Sequence, residues 1–510
     1  MGVGLRKNIT FVSKILKTLI IELLINRKTI WDMNKNYLGS CIRVAVAAIA
    51  ALCCHDAEAQ MLRTTYFMDG SHYRMQLNPA LAPTRGFIHL PGVGNTGAAY
   101  RSNSLNIDNL IDIMDNRDDA TYFTSDNFFN GLDEKNHALL NASTDLLAVG
   151  WWHGKSFWSI NWGVKADGYV SAPRTAFSFL RDMKGMNKID YAHYVSDVMN
   201  EELNVNAYSE MGVGWARQFG NFSAGVRVKG LLGIGHVNLK VNRMLVQTSF
   251  EGIDPGMDWS NPDYDELMDV TGTATIDVDA ELQSSCEGLL FPANEAGYID
   301  DLDFDTGKMG IAGVGAGIDV GVACRVAGGL TLSAAVVDLG FIKWSKKATQ
   351  LARSSASTMS FDTENPNDMV DFMDVICSGK VLNPDLLRLY PEGETSKART
   401  TNLASTMTLG AEYATMSDQL RFGILYSNHF AHIRNESEVT LSVNYSPSSM
   451  VDLSASYSPL LCGGKSFGLA VKAGPLFVGT DYMYLGKDTK CCNALIGISI
   501  PLGAGNQESE

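Results

Sequence analysis

Beyond residue 60 this chain contains no long hydrophobic run. Every apolar stretch is broken within a few residues by Ser, Thr, Asn, Gly or a charge, whereas a helix that crosses a bilayer needs about 20 consecutive apolar residues. A helical membrane protein is thereby excluded. Charge is scarce as well. Asp, Glu, Lys and Arg make up 19% of the 510 residues, against roughly 25% in soluble domains. The net charge is −15, and a nucleic-acid partner would call for a basic face instead. Histidine is rare, with 9 in the chain, and none falls in an HExxH pattern. No complete P-loop and no CxxC spacing occurs. One GxSxG string is present, Gly464-Lys465-Ser466-Phe467-Gly468. It opens an alternating strand, whereas a nucleophile elbow needs a strand before it and a helix after it. No enzymatic activity, cofactor or metal site is expected.

What is there begins with an export signal. From Met33 the chain reads MNKNYLGSCIRVAVAAIAALCCHDAEAQ. Lys35 and Arg43 form a basic start, Val44–Cys54 a short apolar core, and Ala57-Glu58-Ala59 a small-x-small cleavage site. Residues 33–59 are expected to be a cleaved signal peptide, and residues 1–32 an upstream extension from an earlier start codon. A lipoprotein anchor at Cys53 is disfavoured because Leu52 stands where a small residue is needed. Export places Cys286, Cys324, Cys377, Cys462, Cys491 and Cys492 in an oxidising compartment.

The remainder alternates with period two, the signature of strands. Leu420, Phe422, Ile424 and Tyr426 alternate with Arg421, Gly423, Leu425 and Ser427, and Ala494, Ile496, Ile498 and Ile500 with Leu495, Gly497 and Ser499. Trp158, Ile160, Trp162 and Val164 do the same upstream. Such segments run about 9–12 residues, matching the 9–11 of a tilted membrane strand rather than the 5–6 of a soluble one. Trp151, Trp152, Trp158 and Trp162 crowd one hairpin, and Tyr445, Tyr457, Tyr482 and Tyr484 fall near strand ends, as interface girdles do. The expected fold is all-β: an antiparallel transmembrane barrel in the outer membrane of a Gram-negative bacterium, with outer-membrane lipid around it.

Short turns near 153–155, 219–221, 325–328, 416–418, 446–449 and 473–475 alternate with long connections, which predicts about fourteen strands with the long connections outside. Thr271–Leu282 is read as part of a hairpin in an external excursion. The external segments include helix-like stretches at Thr175–Met186 and Asn367–Cys377. The predicted division is a plug at 60–89, a barrel at 90–502 and a tail at 503–510. Alternation turns Lys165, Glu210, Arg227, Lys229, Asp319, Glu412, Arg421, Asp452, Lys472 and Asp481 toward the lumen. Lumen glycines in Gly212–Gly214 and Gly310–Gly321 would let a plug or ligand approach the backbone closely. Strand parity also places Cys462 and Cys491 on neighbouring external loops, a candidate disulfide.

The segment from Met61, MLRTTYFMDGSHYRMQLNPALAPTRGF, carries Asn78-Pro79-Ala80 and precedes the first strand. A plug with an Asn-Pro-Ala box followed by fourteen strands is similar to the FadL-type long-chain fatty-acid transporters. The stretch from Leu62-Arg63-Thr64 to Arg85-Gly86 also resembles a barrel family of Bacteroidetes whose function is unknown. The chain departs from many outer-membrane proteins in ending Pro501-Leu502-Gly503-Ala504-Gly505-Asn506 rather than on an aromatic residue. The resemblance implies gated passive uptake of a hydrophobic or amphipathic small molecule, with an apolar pocket above the plug. The alternative is a surface scaffold or shuttle for exported proteins, with a lumen filled solid.

Overall fold

The computed structural model describes residues 62–504, apart from 110–111, 113–124, 184–190, 253–270, 302, 328, 355–358, 363–383, 393–397, 416–417, 431–434, 461–464 and 484–489. The strands in chain order are β1 (Arg85–His89), β2 (Thr96–Ser102), β3 (Lys135–His153), β4 (Ser156–Pro173), β5 (Val195–Phe219), β6 (Phe222–Glu251), β7 (Thr271–Cys286), β8 (Leu289–Leu290) and β9 (Asp303–Phe304). They continue as β10 (Gly313–Ala327), β11 (Leu330–Trp344), β12 (Thr349–Ser354), β13 (Met359–Asp362), β14 (Leu389–Pro391), β15 (Arg399–Asn402), β16 (Ser405–Thr415) and β17 (Leu420–Phe430). The last are β18 (Asn435–Ser448), β19 (Val451–Leu460), β20 (Ser466–Ala473), β21 (Leu476–Thr480) and β22 (Cys491–Ala504). Among the described residues three short helices, α1 (Asp126–Asn130), α2 (Arg174–Met183) and α3 (Pro384–Leu387), lie in the connections.

Fourteen strands close into one antiparallel barrel. β1 and β2 together make the first barrel strand, interrupted at 90–95. Both pair with β3 on one side and with β22 on the other, through Phe87↔Gly150 and His89↔Ser499, then Thr96↔Ile496 and Arg101↔Cys491. That double pairing removes the sheet edges, which is what allows a backbone to sit in hydrocarbon. The first strand of the barrel begins at Arg85.

Exposure identifies the surrounding solvent. Val213, Val228 and Val314 are 52–59% exposed, while Lys229 and Asp319 are fully buried. Apolar outside and charged inside inverts a soluble sandwich and is the arrangement of a membrane barrel. Trp151 and Trp158 flank the turn between β3 and β4, and Phe219 and Phe222 the turn between β5 and β6, all four exposed. They form part of a girdle on the short-turn side. Tyr482 does not join it. It is buried within the barrel against Arg63, because β21 ends at Thr480 and the chain bends inward past it.

On the opposite side the wall outgrows the membrane. β5 and β6 are 25 and 30 residues long, where about 9–11 suffice to span. The outer part of β6 pairs with β7 from Gly235↔Cys286 to Glu251↔Thr271. β7 in turn carries β12 and β13 on its other edge. This external sheet buries its own apolar core, including Phe179 of α2 with Val246, Phe250, Ile276 and Phe361. The stretch 367–377 lies outside the described residues.

Candidate functional site: the plug and the chamber above it

Residues 62–84 fill the short-turn half of the lumen, with two 3-10 turns at Arg63–Thr65 and His72–Gln76. Irregular backbone at membrane depth is tolerated only inside protein, where its polar groups find partners. Here the wall supplies them. Asp481 accepts hydrogen bonds from the amides of Arg63 and Thr64 at 3.0 and 2.8 Å and from the Thr64 hydroxyl at 2.6 Å. The Arg63 guanidinium donates to Tyr482 at 2.6 Å and Ser427 at 3.1 Å and pairs with Glu438 at 2.8 Å. A second anchor lies nearer the turns. Plug Asp69 bridges plug Arg74 and wall Arg421, and Arg421 also reaches Glu412 at 4.0 Å. Lys472 donates to the Ser449 carbonyl at 3.2 Å, and Asp452 lies buried beside Gly70.

The Asn78-Pro79-Ala80 box closes a turn and docks it. Asn78 Oδ1 accepts from the Ala80 amide at 3.0 Å, and Asn78 Nδ2 donates to the Tyr66 hydroxyl at 3.1 Å. Thr408 donates to the Leu77 carbonyl at 3.3 Å. A Cβ added to Gly225 would overlap the Pro79 carbonyl and the Ala80 nitrogen, and one at Gly321 would overlap Asn78 Oδ1. Elsewhere Gly423 faces Phe67, Gly410 faces Tyr66 and Gly497 faces Tyr73 at the same close range. Glycine on the lumen face is thus where the plug reaches the backbone of the wall. A third contact joins His72 Nε2 to His89 Nε2 at 2.6 Å, with His89 Nδ1 3.3 Å from Asp145. Burial above all, then His89 and Lys472, pushes the His72 imidazole well below its usual pKa.

Above the plug lies a cavity of about 550 Å³. Arg63, His72, Met75, Leu77 and Pro79 form its floor, and residues as far out as Lys240, Glu281 and Arg399 line its upper wall. Six charges form a network at its lower wall, where Lys165, Glu210, Arg227 and Asp338 line the cavity and Lys229 and Asp319 lie buried behind them. Lys229 pairs with Asp319 at 2.8 Å, with Asp338, and with Glu210 at 3.6 Å. Arg227 pairs with Asp319 at 2.6 Å, and Lys165 with Glu210 at 2.9 Å and Asp338 at 3.5 Å. Three cations and three carboxylates satisfy one another, the condition under which charge can be buried. The lining is mixed rather than apolar: Leu139, Ala142 and Leu403 share it with Asn141, Asn206, Gln283 and the charged groups.

The ten residues that alternation turned inward divide between two places. Lys165, Glu210, Arg227, Lys229 and Asp319 belong to the chamber network. Glu412, Arg421, Asp452, Lys472 and Asp481 adjoin the plug. Asp338 escaped the sequence reading because of a bulge. Its φ is +59°, and both Val337 and Asp338 are buried, which inverts the parity of β11. A carboxylate falling at a lipid-facing position was the signal for it. Arg63, Glu438 and the His72–His89–Asp145 contact were also missed, and an irregular plug has no periodicity to reveal them. Cys462 lies outside the described residues, while Cys491 is buried at the head of β22 opposite Arg101. Among the described residues no three His, Cys, Asp or Glu side chains are grouped to hold a metal.

Residues 79–481 match the model of a protein family described as "Family of unknown function (DUF5723)". A comparison with curated proteins finds no match. Among solved structures the chain is similar to the TodX deltaS2S3 mutant monoaromatic hydrocarbon channel, at 9% identity and a TM-score of 0.39, covering 88% of this chain and 96% of that one. It is similar to the P. putida toluene transporter TodX at 9% identity and 0.36, covering 87% and 99%. The Ralstonia pickettii toluene transporter TbuX follows at 9% identity and 0.28, covering 86% and 98%.

Proposed function

The chain belongs to the DUF5723 family of unknown function, and from that premise we propose that it is an outer-membrane barrel for gated, passive uptake of amphipathic small molecules, with residues 62–84 as the gate. The observation that carries this reading is the chamber of about 550 Å³, which runs from the plug to the outer strands. That volume lies in the range of small-molecule sites, about 300–1,000 Å³. A purely structural scaffold would have no use for it and would pack the lumen solid. The mixed lining supports amphipathic over wholly apolar cargo. The plug is docked by hydrogen bonds and ion pairs rather than by a covalent link, so it can leave the wall without bond breakage. The ionic network beside the chamber holds the wall in shape while the plug moves.

The test is to lock the plug. The hydroxyls of Thr64 and Ser456 are 2.7 Å apart, so Thr64→Cys with Ser456→Cys places two thiols in bridging range. Liposomes containing this variant and a trapped β-glucosidase would be offered 4-nitrophenyl glucoside. Uptake should be slow when the pair is oxidised and recover on reduction. Equal rates in the two states would rule out the plug as gate.

A further inference from the structure

The upper wall of the chamber carries a belt of amide side chains, and the strand register places its members side by side. On β4, β5 and β6, Asp167 pairs with Asn206, and Asn206 with His236. One tier further out, Tyr169 pairs with Asn204, Asn204 with Asn238, and Asn238 with Gln283 of β7. All of these line the cavity. We infer that this belt is a binding site for a neutral polyhydroxylated group, a saccharide of one or two rings. This rests on the uptake reading and specifies its cargo as a molecule with a sugar-like part.

Three features point to that class. Each amide offers two donors and two acceptor lone pairs in one plane, and a row of them matches a ring of hydroxyls, each of which both donates and accepts. The ionic groups below the belt are paired with one another, so the strongest charges at the lower wall are already committed. Asn238 donates to Glu202, and Gln283 donates to Glu281 and accepts from Arg399, but one member of the belt is not saturated. Asn206 is only 8% exposed and its Nδ2 donates to Asp167 at 3.3 Å, yet its Oδ1 has no hydrogen-bond partner. A buried amide oxygen without a donor costs about 1–3 kcal/mol, and a hydroxyl ligand at the cavity wall would relieve it. Tyr169 adds an aromatic ring in the upper tier, able to cover the apolar face of a sugar ring while its neighbours bind the hydroxyls.

The proposal is tested by calorimetry on the full chain in lauryldimethylamine oxide, a detergent without a sugar headgroup. The probes are maltose, lactose and sucrose, with toluene and laurate as apolar and amphipathic comparators. At least one disaccharide should bind, and both Asn206→Leu and Asn238→Leu should weaken it tenfold or more. Asn206→Ser, which keeps a hydrogen-bonding group in a smaller side chain, should fall in between if the Leu variants fold poorly. Disaccharide affinity unchanged in all three variants overturns the inference. So does laurate binding that no disaccharide displaces, and that outcome leaves gated uptake standing. Equal uptake by locked and unlocked plug would instead remove the gate while leaving the belt.

Discussion

The contact between Pro79 and Gly225 sets how firmly the plug is seated. Replacing Gly225 with Ala adds one methyl group where the Pro79 carbonyl and the Ala80 amide already lie. Those are backbone atoms held by the Asn78 turn and by Thr408, so the methyl cannot be accommodated by rotating a side chain. Overpacking of this kind costs about 1–3 kcal/mol. The cost falls on the docked plug and not on the strand, where Ala is at least as acceptable as Gly. A penalty of that size shifts the docking equilibrium roughly 5- to 150-fold. Hydrogen exchange at the amides of 62–84 reads this equilibrium directly, and their exchange should quicken by that factor while β16–β20 stay protected. Gly230→Ala is the control on the same strand. Its added methyl would meet only the Met211 carbonyl at 4.0 Å, on the outer face, and should leave plug exchange unchanged. If both variants behave alike, or if Gly225→Ala loosens barrel and plug together, the plug is not seated by this contact.

Three further outcomes follow from the geometry. Ile498→Arg places a cation on the lipid face and should cost up to about 2–4 kcal/mol, whereas Asn141→Arg on β3 enters the chamber wall and should cost far less; equal losses of heat-modifiable barrel would contradict the register. Lys229→Met leaves Asp319, Asp338 and Glu210 without their shared cation and should destabilise the barrel by about 3–5 kcal/mol. Adding Asp338→Asn should recover part of that, and urea titration of the two variants that gives no difference would refute the network. His72 is a base whose pKa is depressed by burial, His89 and Lys472, so the docked plug binds fewer protons than the free one. Docking is then strongest above about pH 6.5 and weakens as pH falls below it, with His89, Lys472 and Tyr73 the titratable groups around the ring. Protection of the plug amides, measured against their intrinsic exchange rate at each pH, should fall between pH 7.5 and 5 and lose that dependence in His72→Gln; a flat protection profile in the natural chain would refute it.

Much of the barrel was legible because lipid outside and a polar lumen inside impose one rule on every strand. Phe422 and Ile424 faced out and Arg421 faced in for the same reason that Ile496 and Ile500 faced out and Ser499 in. The rule failed where an extra residue enters a ladder, as at Asp338, and where a strand leaves the membrane. β6 continues past the barrel to Glu251, and its register shifts between Val241 and Arg243. Past that shift the apolar side chains of Met244, Val246 and Phe250 pack into the external core. Period two reports a strand equally well in both settings but says nothing of what covers it. The plug was located by its Asn-Pro-Ala box and its want of alternation. Its partners on β17, β18 and the segment after β21 lie more than 350 residues away in sequence, and no local pattern connects them.

Along β6 the chain touches the plug at Gly225, holds the ionic network with Lys229, bears the belt at Asn238 and enters the external core at Phe250. At about 3.3 Å per residue, those landmarks span roughly 80 Å of one strand. Its neighbours are bonded to it nearly throughout, β5 from Phe219 to Val195 and β7 from Cys286 to Thr271. A load applied at the outer tip would therefore not stretch a loop. It would act in shear on many backbone hydrogen bonds at once, and the displacement would pass down a stiff spar to the residue that meets Pro79. In mechanical terms the external sheet is the long arm of a lever whose short arm rests against the plug.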